Sequence, residues 1–186
     1  MPHPAERLAT YEDLLALPEH LVGEIMRGAL YTQPRPAPRH ARAYSALGYL
    51  IGGPFDGGLG GPGGWWIIDE PELHLGGDIL VPDLAGWRRK RMPALPETAW
   101  FELAPDWVCE ILSPSTAATD RAVKMPIYAR EQVSNLWLID PDAHTLEVYE
   151  RQGNGHWLLL ETLRDDDAVS QPPFEATRFS LDGLWS

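Results

Sequence analysis

Two short apolar stretches, each with one carboxylate in its interior, constrain most strongly how this chain folds. The first runs from Ile79 to Ala85 and carries Asp83, and the second runs from Asp106 to Leu112 and carries Glu110. Short runs rich in Val, Ile and Leu predict buried β-strands. We interpret them as adjacent strands of one sheet, with both carboxylates near strand ends, so that Asp83 and Glu110 lie side by side.

The residues before these strands predict a helix, a hairpin and a second helix. Thr10 to Leu17 begins with a capping pattern, because Asp13 follows Thr10 by three residues. Val22–Met26 and Ala29–Gln33 predict a hairpin that turns at Arg27-Gly28. Apolar residues at helical spacing predict a helix over 40–51, and the glycine-rich stretch over 52–64 predicts a flexible loop.

The residues after these strands predict a further helix and several strands. A polar turn over 113–119 leads into a helix that ends near Glu131, with Pro126 as an awkward interior residue. Strands are predicted at 65–68, at 135–139, and in a hairpin of 145–149 and 156–160. The order indicates one mixed α/β (α+β) domain over residues 1–186, with one central sheet.

Composition narrows the class of protein. The formal net charge of −12 argues against a protein that coats nucleic acid non-specifically, although a nuclease with a local basic patch or a bound metal is compatible with it. No stretch approaches the roughly 18 apolar residues of a membrane helix, and the N-terminus does not resemble a secretory signal. The single cysteine, Cys109, is expected to be a buried thiol in a reducing compartment, so we expect a cytoplasmic protein with no membrane partner.

Two carboxylates on neighbouring strands could bind a hard divalent cation. Mg²⁺ prefers oxygen ligands, retains several waters and often uses only one or two carboxylates. On the residues alone this signal is weak, since each carboxylate is more often a strand-edge group or a paired surface group.

Several motifs together resemble the Uma2 family of bacterial restriction-endonuclease-like proteins, in the PD-(D/E)XK nuclease superfamily. The resemblance covers about residues 10–149 and leaves 150–186 as a C-terminal strand and tail. The matching pieces are Gly23–Leu30, His40, Val81-Pro82-Asp83, Pro105–Thr116, Asp120–Lys124 with Tyr128, and Leu136–Pro141.

The resemblance implies a restriction-endonuclease-like core, with a central mixed sheet flanked by helices, and hydrolysis of DNA. Mg²⁺, or Mn²⁺, would be held by Asp83, Glu110 and the backbone carbonyl of Ile111. The superfamily places a lysine two residues after the second acid, where this chain has Leu112. Lys124, on the following helix, is the candidate replacement that would assist the attacking water.

Each of three candidate residues allows two interpretations. Lys124 is either catalytic or a surface partner of Asp120 at i,i+4. Glu24 is either a third acid that faces the metal or a solvated hairpin residue. His40 either positions water or phosphate, or is a capping or surface imidazole.

Arginines and aromatic residues are candidates for DNA contact. The run Arg88, Arg89, Lys90 and Arg91 is either a DNA-contacting patch beside the active site or a solvated loop tip. Arg35, Arg39 and Arg42 would extend such a patch. The tryptophans are assigned mainly to the core rather than to base stacking.

Other polar pairs gave weaker signals. Glu72 and His74 alternate on a strand but lack further zinc ligands. Asp140 is interpreted as a turn residue before Pro141.

Two function classes follow. The first is a Mg²⁺-dependent DNA endonuclease. The alternative is a catalytically inactive nuclease fold that binds nucleic acid or protein, suggested by Leu112 and the acidic charge. A homodimer, in which the apolar tail pairs across a two-fold axis, would suit cleavage of both DNA strands.

Overall fold

The computed structural model describes residues 7–34 and 36–186, with the backbone alone at residue 34. The chain begins with helix α1 and the hairpin β1–β2, followed by helix α2 and strands β3 to β7. A helical segment then leads to α4, β8, the hairpin β9–β10, and a small pair, β11 and β12. The bounds are α1 Tyr11–Leu15, β1 Leu21–Met26, β2 Ala29–Pro34, α2 Pro38–Ile51, β3 Trp65–Asp69, β4 Leu73–Leu75, β5 Asp78–Leu80, β6 Leu84–Arg88, β7 Trp107–Ile111, α3 Ala117–Thr119, α4 Met125–Arg130, β8 Asn135–Asp140, β9 Thr145–Arg151, β10 Trp157–Arg164, β11 Ala168–Val169 and β12 Phe179–Ser180.

A six-stranded mixed sheet forms the centre of the molecule, in the order β10-β9-β8-β7-β6-β3. β7 and β8 run parallel, with Ile111 beside Ile139, while β6 and β7 run antiparallel, with Leu84 opposite Cys109. The start of β6 therefore meets the end of β7. This arrangement confirms the predicted mixed α/β fold with a central mixed sheet.

The stretch Ile79–Ala85 is not one strand, as the sequence predicted, but two strands in different sheets. β5 belongs to a second sheet of order β2-β1-β5-β4, whereas β6 belongs to the central sheet. Pro82 lies between them and has no amide hydrogen to donate to a ladder, which explains the interruption. Asp83 therefore lies on the link between the two sheets, directly before β6.

Side-chain alternation along β7 decides which way Glu110 points. Trp107, Cys109 and Ile111 are buried in the apolar cluster that contains α2. Val108 and Leu112 are buried in the opposite cluster, which contains Ile127 and Tyr128 of α4. Glu110 has the parity of Val108, so it points toward the helical segment that carries Lys124.

That helical segment is continuous but irregular. A π-helical turn, Asp120–Lys124, joins α3 to α4, and Pro126 lies in the first turn of α4. A proline in a first helical turn loses no required hydrogen bond, and the wider turn before it accommodates the ring. The predicted end near Glu131 is confirmed, since Glu131 is the C-cap of α4.

The structure corrects the predicted loop after α2 and shows where the C-terminal tail packs. Part of the predicted loop after α2, Gly52–Asp56, is a π-helical turn rather than a flexible loop. The C-terminal tail packs on the sheet as expected, with Phe174, Leu181 and Leu184 buried in the α2-side cluster. Since these apolar residues are buried within the chain, a homodimer, which stays a prediction, would have to form through other residues. Over the described part of the chain, no helix is long and apolar enough to cross a bilayer.

Candidate active site

Asp83 and the end of β7 are joined by a direct hydrogen bond. The backbone amide of Ile111 donates to Asp83 Oδ2 at 2.7 Å. The other carboxylate oxygen, Oδ1, lies 3.3 Å from Nε2 of His40, in the first turn of α2. The two sheets and α2 thus meet at Asp83, next to Glu110 as the sequence predicted.

Glu110 is a buried carboxylate with two protein donors. Tyr128 donates its hydroxyl to Oε1 at 2.6 Å, and Lys124 Nζ lies 3.3 Å from Oε2. Burial raises the pKa of Glu110 well above its ordinary value, and this exceeds the opposing effect of Lys124. The carboxyl is therefore held where additional positive charge would favour its ionised form.

Lys124 lies at the centre of a cluster of three buried acids. Its Nζ is 2.9 Å from Glu24, 3.3 Å from Glu110 and 3.6 Å from Asp120. Only 3% of the Lys124 side chain is exposed, so the interpretation as a surface i,i+4 pair is wrong. Burial alone would lower the pKa of Lys124, but the three carboxylates outweigh burial and raise it.

Glu24 brings the hairpin into this cluster. It is 3% exposed, and its Oε1 accepts a hydrogen bond of 2.8 Å from the Val81 amide, two residues before Asp83. The interpretation of Glu24 as a solvated hairpin residue is therefore wrong. The pairing of β1 with β5 fixes both ends of this contact.

His40 faces the site rather than solvent. Burial opposes its protonation, but the adjacent Asp83 carboxylate and the Ile111 carbonyl raise its pKa overall. Its Nδ1 is buried without a hydrogen-bond partner among the described residues. An imidazole in this position can carry a proton on Nε2 and direct it toward the Asp83 carboxylate.

A pocket of about 330 Å³ opens onto these groups. Its lining includes Asp83, Glu110, Ile111, His40 and Lys124, together with the hydroxyl-rich turn after β7, which contributes Ser113, Ser115 and Thr116. Ser113 Oγ lies 3.0 Å from both Ser115 Oγ and Thr116 Oγ1. The pocket thus offers carboxylates at its floor and hydroxyls at its rim.

The charge balance of the pocket bears on whether a metal fits. Asp83, Glu24, Glu110 and Asp120 bring four carboxylates together, against Lys124 and the imidazole of His40. Buried negative charge without equal positive charge is costly, so the cluster is suited to a cation.

The donor chemistry is also of the right kind. Among the residues described, no group of three or more His, Cys, Asp and Glu side chains is arranged to hold a metal ion. Two carboxylates and one carbonyl are nevertheless sufficient for Mg²⁺, which retains several waters. That Asp83, Glu110 and the Ile111 carbonyl form such a set stays a prediction.

The basic run Arg88–Arg91 lies away from this pocket. It begins at the end of β6 opposite to Asp83, about 16 Å along the strand. Arg89 forms an ion pair with Asp56, and Arg91 forms one with Asp106 at 2.8 Å. Of the two interpretations of this run, the one that places it beside the active site is therefore wrong, while its contact with DNA stays a prediction.

Arg39 and Arg42 lie near the first turn of α2, whereas Arg35 falls outside the described residues. Arg39 forms a surface pair with Asp142 at 3.2 Å. Arg42 donates to the main-chain oxygens of Ser186 and Gly183.

The remaining polar candidates have local structural explanations. His74 bonds to Glu72 at 2.7 Å and stacks on Trp100 with ring centroids 4.9 Å apart, away from the pocket. Asp140 accepts the amides of Asp142 and Ala143, which is the expected turn role. Cys109 is fully buried, and burial raises the pKa of its thiol.

Sequence reasoning did not assign site roles to Asp120 and Tyr128. Both contact the cluster through Lys124 and Glu110. Their spacing carried a signal, since residues 120, 124 and 128 recur every four positions and so share one helix face.

The comparison with known families decides which family the chain belongs to. Residues 8–182 match the family described as "Uma2: Putative restriction endonuclease". The chain belongs to the Uma2 family. The match extends past the motifs in the first 149 residues and takes in most of the tail that packs on the sheet.

A solved structure agrees with this assignment. The chain is similar to the crystal structure of a "putative nuclease belonging to DUF820" from Anabaena variabilis ATCC 29413, with 26% identity and a TM-score of 0.75. The similarity covers 95% of this chain and 97% of the other. No curated protein matches the sequence.

Proposed function

We propose that this Uma2 chain is a Mg²⁺-dependent endonuclease that hydrolyses phosphodiester bonds of DNA. The observation that carries the proposal is the meeting of Asp83 with the Glu110–Ile111 segment, bridged by a 2.7 Å hydrogen bond, at the floor of a pocket that also contains Lys124. The chain belongs to a family described as putative restriction endonucleases, and this supports hydrolysis of phosphodiester bonds as the reaction at the site.

Asp83, Glu110 and the Ile111 carbonyl would hold the metal. Magnesium bound there would lower the pKa of a coordinated water and neutralise charge on the phosphate. Lys124, surrounded by three carboxylates, remains an ammonium and thus a donor, so its role is to orient the attacking water and stabilise developing negative charge. Glu24 and Asp120 are positioning residues, because they hold the lysine beside Glu110.

The absence of lysine at position 112 does not remove the charge from the pocket. Leu112 is buried in the α4-side cluster, on the same face of β7 as Glu110. Lys124 reaches that face from the neighbouring helical segment, with its Nζ 3.3 Å from Glu110. This geometry favours an active enzyme over the alternative, an inactive nucleic-acid- or protein-binding module.

A cleavage assay tests the proposal. Supercoiled, linear and single-stranded DNA would be incubated with the wild type and with Asp83→Asn and Glu110→Gln, in Mg²⁺, in Mn²⁺ and in EDTA. We expect metal-dependent cleavage by the wild type and at least about a hundredfold loss in each variant. Lys90→Ala, which changes an exposed lysine remote from the pocket, serves as the control. Cleavage that persists in both carboxamide variants would contradict the proposed site, and no cleavage of any substrate would favour the inactive module.

A further inference from the structure

A second cleft lies on the other side of the first turn of α2 from the candidate active site. It has a volume of about 510 Å³ and is lined by Pro38, Arg39 and Arg42 on one side and by Pro141, His144, Leu184 and Trp185 on the other. Ala37 and His40, from the same turn of α2, line the pocket with the carboxylates. One helical turn therefore separates the two cavities.

The sheet topology places both cavities at the same edge of the central sheet, where the parallel strands β7 and β8 end. β7 and β8 are parallel, and the amide of Leu112, just after β7, donates to the carbonyl of Ile139 at 2.7 Å. Pro141 directly follows β8, so it leaves the sheet one strand, or about 5 Å, from the end of β7. A chain molecule whose reacting group lies at Glu110 can thus extend across α2 into the second cleft.

The second cleft provides exposed positive charge, whereas the lysine of the first pocket is buried among carboxylates. The Arg39 side chain is 80% exposed, and its contact with Asp142, itself 57% exposed, is a surface ion pair of the kind that contributes little to stability. Over residues 7–34 and 36–186, no Asp or Glu side chain forms a salt bridge with Arg42, which donates to the main-chain oxygens of Gly183 and Ser186 instead. Both guanidinium groups are exposed at the cleft, and an anion can replace Asp142 at Arg39.

The opposite wall of the cleft is formed by two stacked aromatic rings. His144 stacks on Trp185 with ring centroids 4.9 Å apart and planes inclined by 3°, and Trp185 Nε1 donates to the Asp165 carbonyl at 3.0 Å. The pair presents an aromatic wall opposite the arginines. Cationic groups beside flat aromatic rings are the features with which proteins bind a nucleic-acid strand, because the cations contact phosphates and the rings stack on bases.

We infer that this cleft binds the DNA strand that flanks the cleaved phosphodiester, with Arg39 and Arg42 contacting its phosphates. The inference rests on the proposed function, because that function places the cleaved bond at Asp83 and Glu110. It assigns DNA contact to the α2 arginines rather than to Arg88–Arg91, two of which are engaged with Asp56 and Asp106 at the far end of β6. In a chain of net charge −12, such a local basic surface is what allows a strand to approach the carboxylates.

The test measures binding separately from cleavage. Anisotropy of fluorescently labelled duplex and single-stranded oligonucleotides would be followed in EDTA, over a range of salt concentrations, for the wild type, Arg39→Glu, Asp142→Asn and Lys90→Glu. Arg39 is highly exposed, so its replacement leaves folding intact, and Lys90→Glu is the matched charge reversal at the remote basic run.

We expect Arg39→Glu to weaken binding about tenfold at low salt and to reduce the salt-dependence slope by at least about 1. Asp142→Asn, which removes the competing carboxylate, should tighten binding by about twofold, and Lys90→Glu should have little effect. Equal weakening by Arg39→Glu and Lys90→Glu, or no binding of either DNA form by the wild type, would overturn the inference. Cleavage in Mg²⁺ reports on the proposed function independently, since binding without cleavage would support this surface alone.

Discussion

At the scale of single residues, the site depends on one buried cation. Lys124 is the partner of Glu24, Glu110 and Asp120, and all four side chains are nearly inaccessible to solvent. A buried ion pair adds little net stability when intact, but removal of one partner leaves uncompensated charge. The lysine therefore has a structural role in addition to the proposed catalytic one.

Replacement of Lys124 by methionine keeps the approximate shape and removes the charge. We expect the free energy of unfolding to fall by about 3–5 kcal/mol at pH 7, measured by urea denaturation. Lys90→Met is the matched control, and it should change stability by less than about 0.5 kcal/mol, because Lys90 is exposed.

The loss in Lys124→Met should decrease as the pH falls from 7 toward 5. Burial already raises the pKa of Glu110, and removal of the lysine raises it further. The folded variant then binds more protons than its unfolded state, so its stability increases as pH decreases. A penalty that is constant over this range would contradict the view that uncompensated carboxylates cause it.

At the scale of secondary-structure elements, most of the fold follows from residue patterns. The hairpin at Gly28, the strand before Pro141 and the helix that ends at Glu131 were all predictable from turn residues and apolar periodicity. The split of Ile79–Ala85 was not predicted from the run itself, because an apolar run does not show which sheet each half joins. Pro82 was the local signal for that break.

The burial of Lys124 depends on tertiary structure, so it was harder to predict from the sequence than the helices and strands. The i,i+4 spacing of Asp120 and Lys124 is common on exposed helix faces, so the pattern alone does not separate surface from core. Burial follows from the hairpin, which places Glu24 over the π-helical turn. The pairing of Asp83 with Glu110, by contrast, was predictable from two strand-end carboxylates together with the family motifs.

The turn of the β1–β2 hairpin provides a prediction at the scale of secondary-structure elements. Gly28 has a φ of +78°, a conformation that costs other residues about 1–2 kcal/mol, and a Cβ there would lie 2.6 Å from Leu8. Gly28→Ala should therefore lower the free energy of unfolding by about 1–2 kcal/mol, measured by urea denaturation.

The control for the hairpin prediction is Gly52→Ala. Gly52 has helical angles, φ −61° and ψ −43°, and an added Cβ meets no atom within 4 Å. This change should be neutral or stabilise by up to about 1 kcal/mol. If both alanine variants behave alike, the positive φ at Gly28 is not what requires glycine.

At the scale of the whole molecule, the C-terminal tail completes the core. Phe174 is 1% exposed, and its ring lies 4.6 Å from Phe55, 4.9 Å from Trp107 and 5.1 Å from Trp65, measured between ring centroids. The tail therefore fills the face of the sheet opposite Glu110. That residues 1–186 form a single domain stays a prediction, and this packing is consistent with it.

Truncation of Phe174 measures the contribution of the tail. Phe174→Ala should lower the free energy of unfolding by about 3–5 kcal/mol, because a large cavity would form among the tryptophans. Leu159→Ala, at a leucine that is 46% exposed on β10, should change it by less than about 0.5 kcal/mol. Similar small losses in both variants would show that the tail is not part of the cooperative core.

The central claim is that Asp83 and Glu110 form a divalent-cation site. Calorimetric titration of Mg²⁺ and Mn²⁺ into the wild type and into Asp83→Asn, each with and without a DNA oligonucleotide, tests it most directly. DNA is included because phosphate oxygens often complete the coordination of Mg²⁺. We predict binding by the wild type that is lost in Asp83→Asn. Absence of binding by the wild type under all four conditions, or equal binding by Asp83→Asn, would contradict the claim.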